Sequence, residues 1–285
     1  MWQRLQDLPW FVRWPLKWAV FGLTLFLVSF PDPRIFVRHV QHWRDPNAML
    51  DPDLPELQPW VAELRILLKP EMKPRQALKT VEKFVYQKVP YKFDWETWGS
   101  ADYLPTLPEV LDMGAEDCDG QAVVAASLLR KLGYQADLVT DFAHVWVKTE
   151  HGDTMSPGKR HGAVAGKKGV EVRWRALTET LPQALAYSVS PFPLGRELIV
   201  VAVAWLLLLR PRTRWSIRLI CLATIIQGLL FMRAGGANWK QPVVWAQWWG
   251  LVQLVGAAGV LLVFGWRAGR RVPPEAEAAV AVGGS

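Results

Sequence analysis

The chain has 285 residues, a hydrophobic fraction of 51%, 17 tryptophans and a formal net charge of +7. That size admits one or two domains with a sizeable core, and the apolar share is modest for a wholly embedded chain although several runs are too apolar for a wholly soluble one. Zinc-finger spacing, a Walker loop and a dinucleotide glycine fingerprint are all missing from the sequence, and the arginine excess sits at the ends of apolar runs, so a bilayer rather than nucleic acid accounts for the basic balance.

In chain order, residues 1–13 are expected as a cytoplasmic tail and residues 14–30 as a first transmembrane helix. Its flank, LVSFPDP, offers no small-x-small cleavage site, so a retained signal-anchor is favoured over a cleaved signal peptide. Residues 31–69 are proline-rich and polar and read as a stalk or docking segment. A helix is expected from Pro74 to Lys88, where Leu78, Val81, Phe84 and Val85 recur at helical spacing and Pro74 suits the first turn. It opens a domain expected over residues 70–190. Three further apolar segments follow at residues 194–209, 215–232 and 243–266. The last two approach or exceed the ~20 residues that span a bilayer core. Lys17 and Arg196 would snorkel from the shorter two. Residues 267–285 are expected as a disordered cytoplasmic tail.

Lysine and arginine set the orientation. Arg4, Arg13 and Lys17 lie at the N-terminal end of the first segment, Arg210, Arg212, Arg214 and Arg218 follow the second, and Arg267, Arg270 and Arg271 follow the fourth. If all four segments span, these groups share one side, and the positive-inside rule makes that side the cytoplasm. Both termini are then cytoplasmic and the domain is periplasmic or otherwise extracytoplasmic, in a multi-pass inner membrane protein. Tryptophans near the apolar ends, such as Trp10, Trp14, Trp18 and Trp245, fit an interfacial belt.

The chemistry-bearing stretch is GAEDCDGQAVVAASLLRKLGYQADLVTDFAHVWVKTEHGDTMSP, residues 114–157. Its pattern predicts a helix beginning near Cys118 and stopped by Gly133, then strands at Ala136–Thr140 and Val145–Thr149, then a tight turn at His151-Gly152. Cys118 sits in the first helical turn, where unpaired N–H groups and the helix dipole favour a thiolate. Asp117 and Asp119 oppose that unless they point away. His144, at the head of the second strand, is the expected proton acceptor. Cys221 lies in an apolar run and is not a partner for Cys118. His39 and His42 form an H-x-x-H pair without a third ligand, so no metal is expected there.

These residues resemble the transglutaminase-like superfamily. The resemblance rests on Glu116-Asp117-Cys118-Asp119-Gly120 with Ala122, on Leu129-Arg130-Lys131-Leu132-Gly133, and on His144-Val145-Trp146. Val89-Pro90-Tyr91 with Asp94, and Leu107-Pro108-Glu109, look like the family's lead-in, so the likeness covers roughly residues 70–157. It implies an α+β papain/transglutaminase-like core with the cysteine at a helix N-terminus packed on an antiparallel sheet, plus about four transmembrane helices. It also implies a catalytic set of Cys118, His144 and a third residue. The family usually has Asp before a Pro at that place, whereas this chain reads Met155-Ser156-Pro157, so Ser156 stands for the acid. Ser accepts a hydrogen bond but supplies no charge. Asp153 and Asp141 are lesser candidates for the missing carboxylate. Trp98 or Tyr103 is a candidate to complete an oxyanion hole alongside the Cys118 N–H.

The expected function is that of a membrane-anchored thiol enzyme acting on peptide or carboxamide bonds through a Cys-His thioester. Hydrolysis is favoured over amine transfer, with a protein or peptide substrate outside the cytoplasm and no cofactor. The alternative is a catalytically weak domain of the same type serving as a membrane-attached binding or scaffold module. A transport role gains little, because the last two apolar segments hold Gln227, Gln247 and Gln253 but no interior acid.

Overall fold

Helix α1, Trp10–Ser29, is the first membrane-length element. At its end the Ala101 N–H donates to the Ser29 carbonyl at 2.8 Å. This is a computed structural model describing residues 8–140, 144–156, 163–166, 169–172, 174–209, 213–238 and 241–269. The chain divides into two units, one of residues 26–184 and one of residues 1–25 with 185–285.

In the first of these units α2, Pro33–Arg44, starts at an Asp32 cap whose carboxylate accepts from the Arg34 N–H at 2.8 Å. Two 3-10 turns, Pro46–Met49 and Pro55–Leu57, lead into α3, Gln58–Leu67. This stretch, read from the sequence as a stalk or docking segment, packs on the core of the unit. Met49, Leu57, Val61 and Leu64 are buried members of the main core, and the Asn47 side chain accepts from Arg130 at 2.8 Å and from the Leu138 N–H at 3.2 Å. Pro33, Pro46, Pro55 and Pro59, four of the six prolines in this stretch, stand in the first turns of these helices, where their fixed φ is no handicap.

Helix α4, Pro74–Lys88, has the bounds the apolar stripe predicts, with Leu78, Val81, Phe84 and Val85 buried. Two short helices follow, α5 at Asp94–Thr97 and α6 at Leu107–Met113. Helix α7, Cys118–Lys131, is the centre of the unit, buried at every residue from Asp119 to Leu129. Its alanines let α4, α6 and the sheet approach it from several sides. Gly133, at φ 91, takes the left-handed conformation that follows the helix.

Strands β1, Ala136–Thr140, β2, Val145–Thr149, and β3, Gly152–Thr154, form an antiparallel sheet in which Leu138 faces Val147 and Val147 faces Thr154. A hairpin of β4, Ala163–Gly166, and β5, Gly169–Val172, joins the far edge of β1 through Thr140 and Ala165. The order among the described residues is β3-β2-β1-β4-β5. Mostly helical, with a small antiparallel sheet, this unit matches the coarse α+β expectation.

Helix α8, Trp174–Val189, is followed by α9, Leu194–Leu208, α10, Trp215–Gly236, and α11, Val244–Gly269. Among the described residues three helices are long and apolar enough to cross a membrane, α1, α10 and α11. Up to four segments qualify if Leu181–Val189 and Leu194–Leu208, bent by 118°, count as one. The segment expected as a second span is therefore a helix of only 15 residues. Helices α10 and α11 touch backbone to backbone, and the Gln247 side chain donates to the Gly235 carbonyl at 2.9 Å.

Candidate functional site

Cys118 is the first residue of α7, behind the Asp117 cap, whose carboxylate accepts from the Asp119 N–H at 2.9 Å. The segment before it is held by short pairings: the Glu116 N–H donates to Pro90 O at 3.1 Å, and the Lys92 N–H to Glu116 O at 3.3 Å. The Gln121 side chain donates to Val89 O at 2.9 Å. The start of α7 is thus fixed against the end of α4.

The Cys118 sulfur has neighbours on its own helix and on β2. Its S–H donates to the Asp119 carboxylate at 3.2 Å, and the Val145 backbone N–H is directed at the sulfur. The structure therefore brings the head of β2 to the thiol, and half-buried His144 directly precedes that contact. Ser156 lies two residues past the end of β3. Met155, at φ 60, interrupts the strand just before it, so simple alternation along β3 no longer decides which face Ser156 takes. Asp153 is exposed on the sheet edge. Asp141 and Pro157 lie outside the described residues.

Electrostatics depart from the thiolate expectation. Burial first, then the Asp117 and Asp119 carboxylates, push the Cys118 thiol well above its ordinary value, with the Val145 N–H acting the other way. A helix N-terminus favours a thiolate, but two carboxylates at contact range and loss of solvent outweigh it here. This direction favours the thiol over the thiolate at Cys118.

Around it is a nest of acids. Glu116 is fully buried, its carboxylate accepting from the Trp98 indole N–H and, at 2.8 Å, from the Asp117 N–H. Burial drives its pKa to about 7. Asp94, also buried, accepts from the Tyr103 N–H at 2.7 Å through one oxygen, while its other oxygen has no hydrogen-bond partner among the described residues. Asp94, Asp117 and Asp119 are all raised, each by burial first and then by their neighbours' charge. Asp94, Glu116 and Asp117 each offer a carboxylate oxygen within 4.8 Å of the others, and Asp117, Cys118 and Asp119 form a second such group. Hard oxygen donors at this spacing are able either to share protons or to hold a small divalent cation. Gly120 makes the arrangement possible, since a Cβ there would stand 2.4 Å from the Glu116 Cγ.

Trp98 and Tyr103 are committed elsewhere. Trp98 donates to Glu116, and the Tyr103 hydroxyl, on a fully buried side chain, donates to Glu109 at 3.0 Å. The H-x-x-H pair grips backbone: His42 Nδ1 is 2.6 Å from Leu104 O, and the Leu104 N–H donates to His39 Nδ1 at 3.3 Å.

Two residues near the site escaped the sequence reading. Glu82 of α4 accepts from the Thr154 hydroxyl at 2.9 Å and from the Met155 N–H at 3.3 Å, so a carboxylate braces the turn that presents Ser156. Tyr86, one helical turn later, is pushed up to about 12 by burial, by Glu82 and by Cys118. Their spacing of four on the polar side of α4 was the available signal. A groove beside them is lined by Arg75, Lys79, Glu82, His151, Asp153 and Thr154.

No family model matches the chain, and neither a curated protein nor a solved structure does so.

Proposed function

We propose that residues 26–184 are a thiol enzyme domain acting on peptide or carboxamide bonds, of the transglutaminase-like kind its motifs resemble. One observation supports this: the Val145 N–H is directed at the Cys118 sulfur, so the residue next to His144 in the chain meets a thiol 27 positions before it in sequence. The thiol proton passes to a His144 ring nitrogen as the sulfur attacks the carbonyl carbon, forming a C–S bond. The C–N bond then breaks as the imidazolium protonates the departing amine. Water attacks the thioester, gives its proton to His144, and the thiol leaves with it. Because the site favours the thiol over the thiolate, His144 serves as a general base during attack rather than as one half of a standing ion pair. Ser156 and the Glu82 brace orient this side of the site in place of the family's acid. Hydrolysis is favoured over amine transfer. The domain faces the extracytoplasmic side of an inner membrane that the apolar helices cross, with both termini in the cytoplasm.

The raised thiol favours a second reading, a catalytically weak module that binds a partner at the membrane. A chloroacetamide probe separates the two, applied to the detergent-solubilised full chain at neutral pH. An enzyme labels at Cys118, loses the label in Cys118→Ser, and slows at least tenfold in His144→Ala. Labelling in His144→Ala at the wild-type rate excludes the base role and leaves the binding module.

A further inference from the structure

Helix α2 carries an apolar side that its own unit does not bury. None of its 12 residues is buried. Phe36, Val40 and Trp43 recur at i, i+4 and i+7 and so form one stripe. Val37, Val40 and Trp43 remain 52%, 36% and 45% exposed. The inward contacts are made by other residues: His39 and His42 hold the Leu104 backbone, and Arg38 pairs with Glu109. The helix has Arg34, Arg38 and Arg44 and no acid.

Its depth is set by aromatic contacts. The Phe36 ring stands edge-on to Phe26 at 4.9 Å and to Phe30 at 5.0 Å between centroids. Phe26 belongs to α1, which is long and apolar enough to cross a membrane. Only residues 30–32 separate the two helices, a reach of about 10 Å at most. With α1 crossing, the stripe begins within a few residues of the end of that span. An amphipathic helix with a basic side, held at that level, has the composition and position of an interfacial helix.

We propose that α2 lies in the membrane–water interface, with Phe36, Val40 and Trp43 in the acyl boundary and Arg34 and Arg44 among anionic lipid headgroups. The occupant of the stripe is the bilayer surface rather than another protein, because the covalent link and the Phe26–Phe36–Phe30 cluster keep it there in every copy of the chain. Since α2 also grips the segment from Asp102 to Leu104, lipid contact at α2 bears on how this segment stands on the membrane. The proposal is independent of any thiol chemistry.

The test uses the full chain, carrying Cys118→Ser and Cys221→Ser, in vesicles of phosphatidylcholine with or without phosphatidylglycerol. Single cysteines replace Val40, Trp43 or, as a water-facing reference, Lys83, and each carries a nitrobenzoxadiazole label. At Val40 and Trp43 we expect at least threefold quenching by lipids spin-labelled near the headgroup and shielding from iodide, with the reverse at Lys83. Iodide quenching at Val40 and Trp43 as strong as at Lys83 overturns the proposal. Shielding from iodide and spin-labelled lipid alike also overturns it, because protein then covers the stripe. Lipid quenching should weaken without phosphatidylglycerol, and equal quenching in both vesicles overturns the headgroup role of the arginines.

Discussion

Glu116 is a carboxyl group that the fold wants protonated. Its pKa is about 7 in the folded chain against an ordinary 4.5, chiefly because it is buried under α7. The folded state therefore binds the proton more tightly than the unfolded one. The stabilisation is fully present below pH 4.5 and is lost as pH rises through 7, an effect of about 3 kcal/mol. Glu116→Gln keeps an acceptor for the Trp98 N–H without the charge. Its thermal midpoint in detergent should fall less between pH 5 and pH 8 than that of the wild type. An equally steep fall in the variant shows that Glu116 is not the source. Asp94, Asp117 and Asp119 lean the same way, so they supply whatever slope remains. At this scale Cys118 and the start of its helix were legible, because a cap and a small-residue helix are local signals. The acid nest was not, because Asp94 and Glu116 meet only through the pairing of residues 90–92 with Glu116. The thiolate expectation failed for the same reason: helix polarity is written in the local sequence, but the burial that opposes it is not.

Among elements, the α10–α11 pair depends on missing side chains. A Cβ on Gly250 would lie 2.6 Å from the Gly228 carbonyl oxygen and 2.8 Å from the Met232 Cγ. Helices in lipid associate through such close backbone approach rather than through exclusion of water. Gly250→Val should therefore push the pair apart and cost about 1–3 kcal/mol, the usual penalty of overpacking. Gly256→Val, where nothing lies within 4 Å, is the control. Unfolding in mixed detergent–SDS micelles should shift for the first and not for the second, and equal shifts sink the idea of a specific contact. Helix α4 and strands β1 and β2 were readable to the residue, since their apolar periods are unbroken. The segment of residues 31–69 was not, because Pro33, Pro46, Pro55 and Pro59 suggest an extended chain when each in fact stands in a first turn. Leu57, Val61 and Leu64, spaced i, i+4 and i+7, were the overlooked sign that this region joins the core.

For the whole molecule, the open structural question is whether α9 crosses. Its 15 residues rise about 22 Å, less than the roughly 30 Å of a bilayer core, and the 118° bend before it also suits a re-entrant loop. Lys17 bears on this choice. Its buried ammonium donates to the Leu207 carbonyl at 2.5 Å, placing the end of α9 beside the N-terminal part of α1. From Lys17 to the end of α1 at Ser29 is about 18 Å, a length close to that of α9. A lysine at the last turn also suits the negative end of the α9 dipole. Arg210, Arg212 and Arg214 follow α9 in sequence and Arg218 lies in the first turn of α10, charge of the kind a cytoplasmic side retains. Crossing by α9 puts the C-terminus on the same side as the N-terminus, whereas re-entry puts it on the other. Green fluorescent protein fused after Ser285 should accordingly fluoresce, and alkaline phosphatase there should be inactive. Phosphatase fused after Leu67 should be active. An active phosphatase after Ser285 would make α9 a re-entrant helix. If the arginines do the holding, replacing Arg210, Arg212 and Arg214 with alanine should convert a fraction of the chains to that same inverted end.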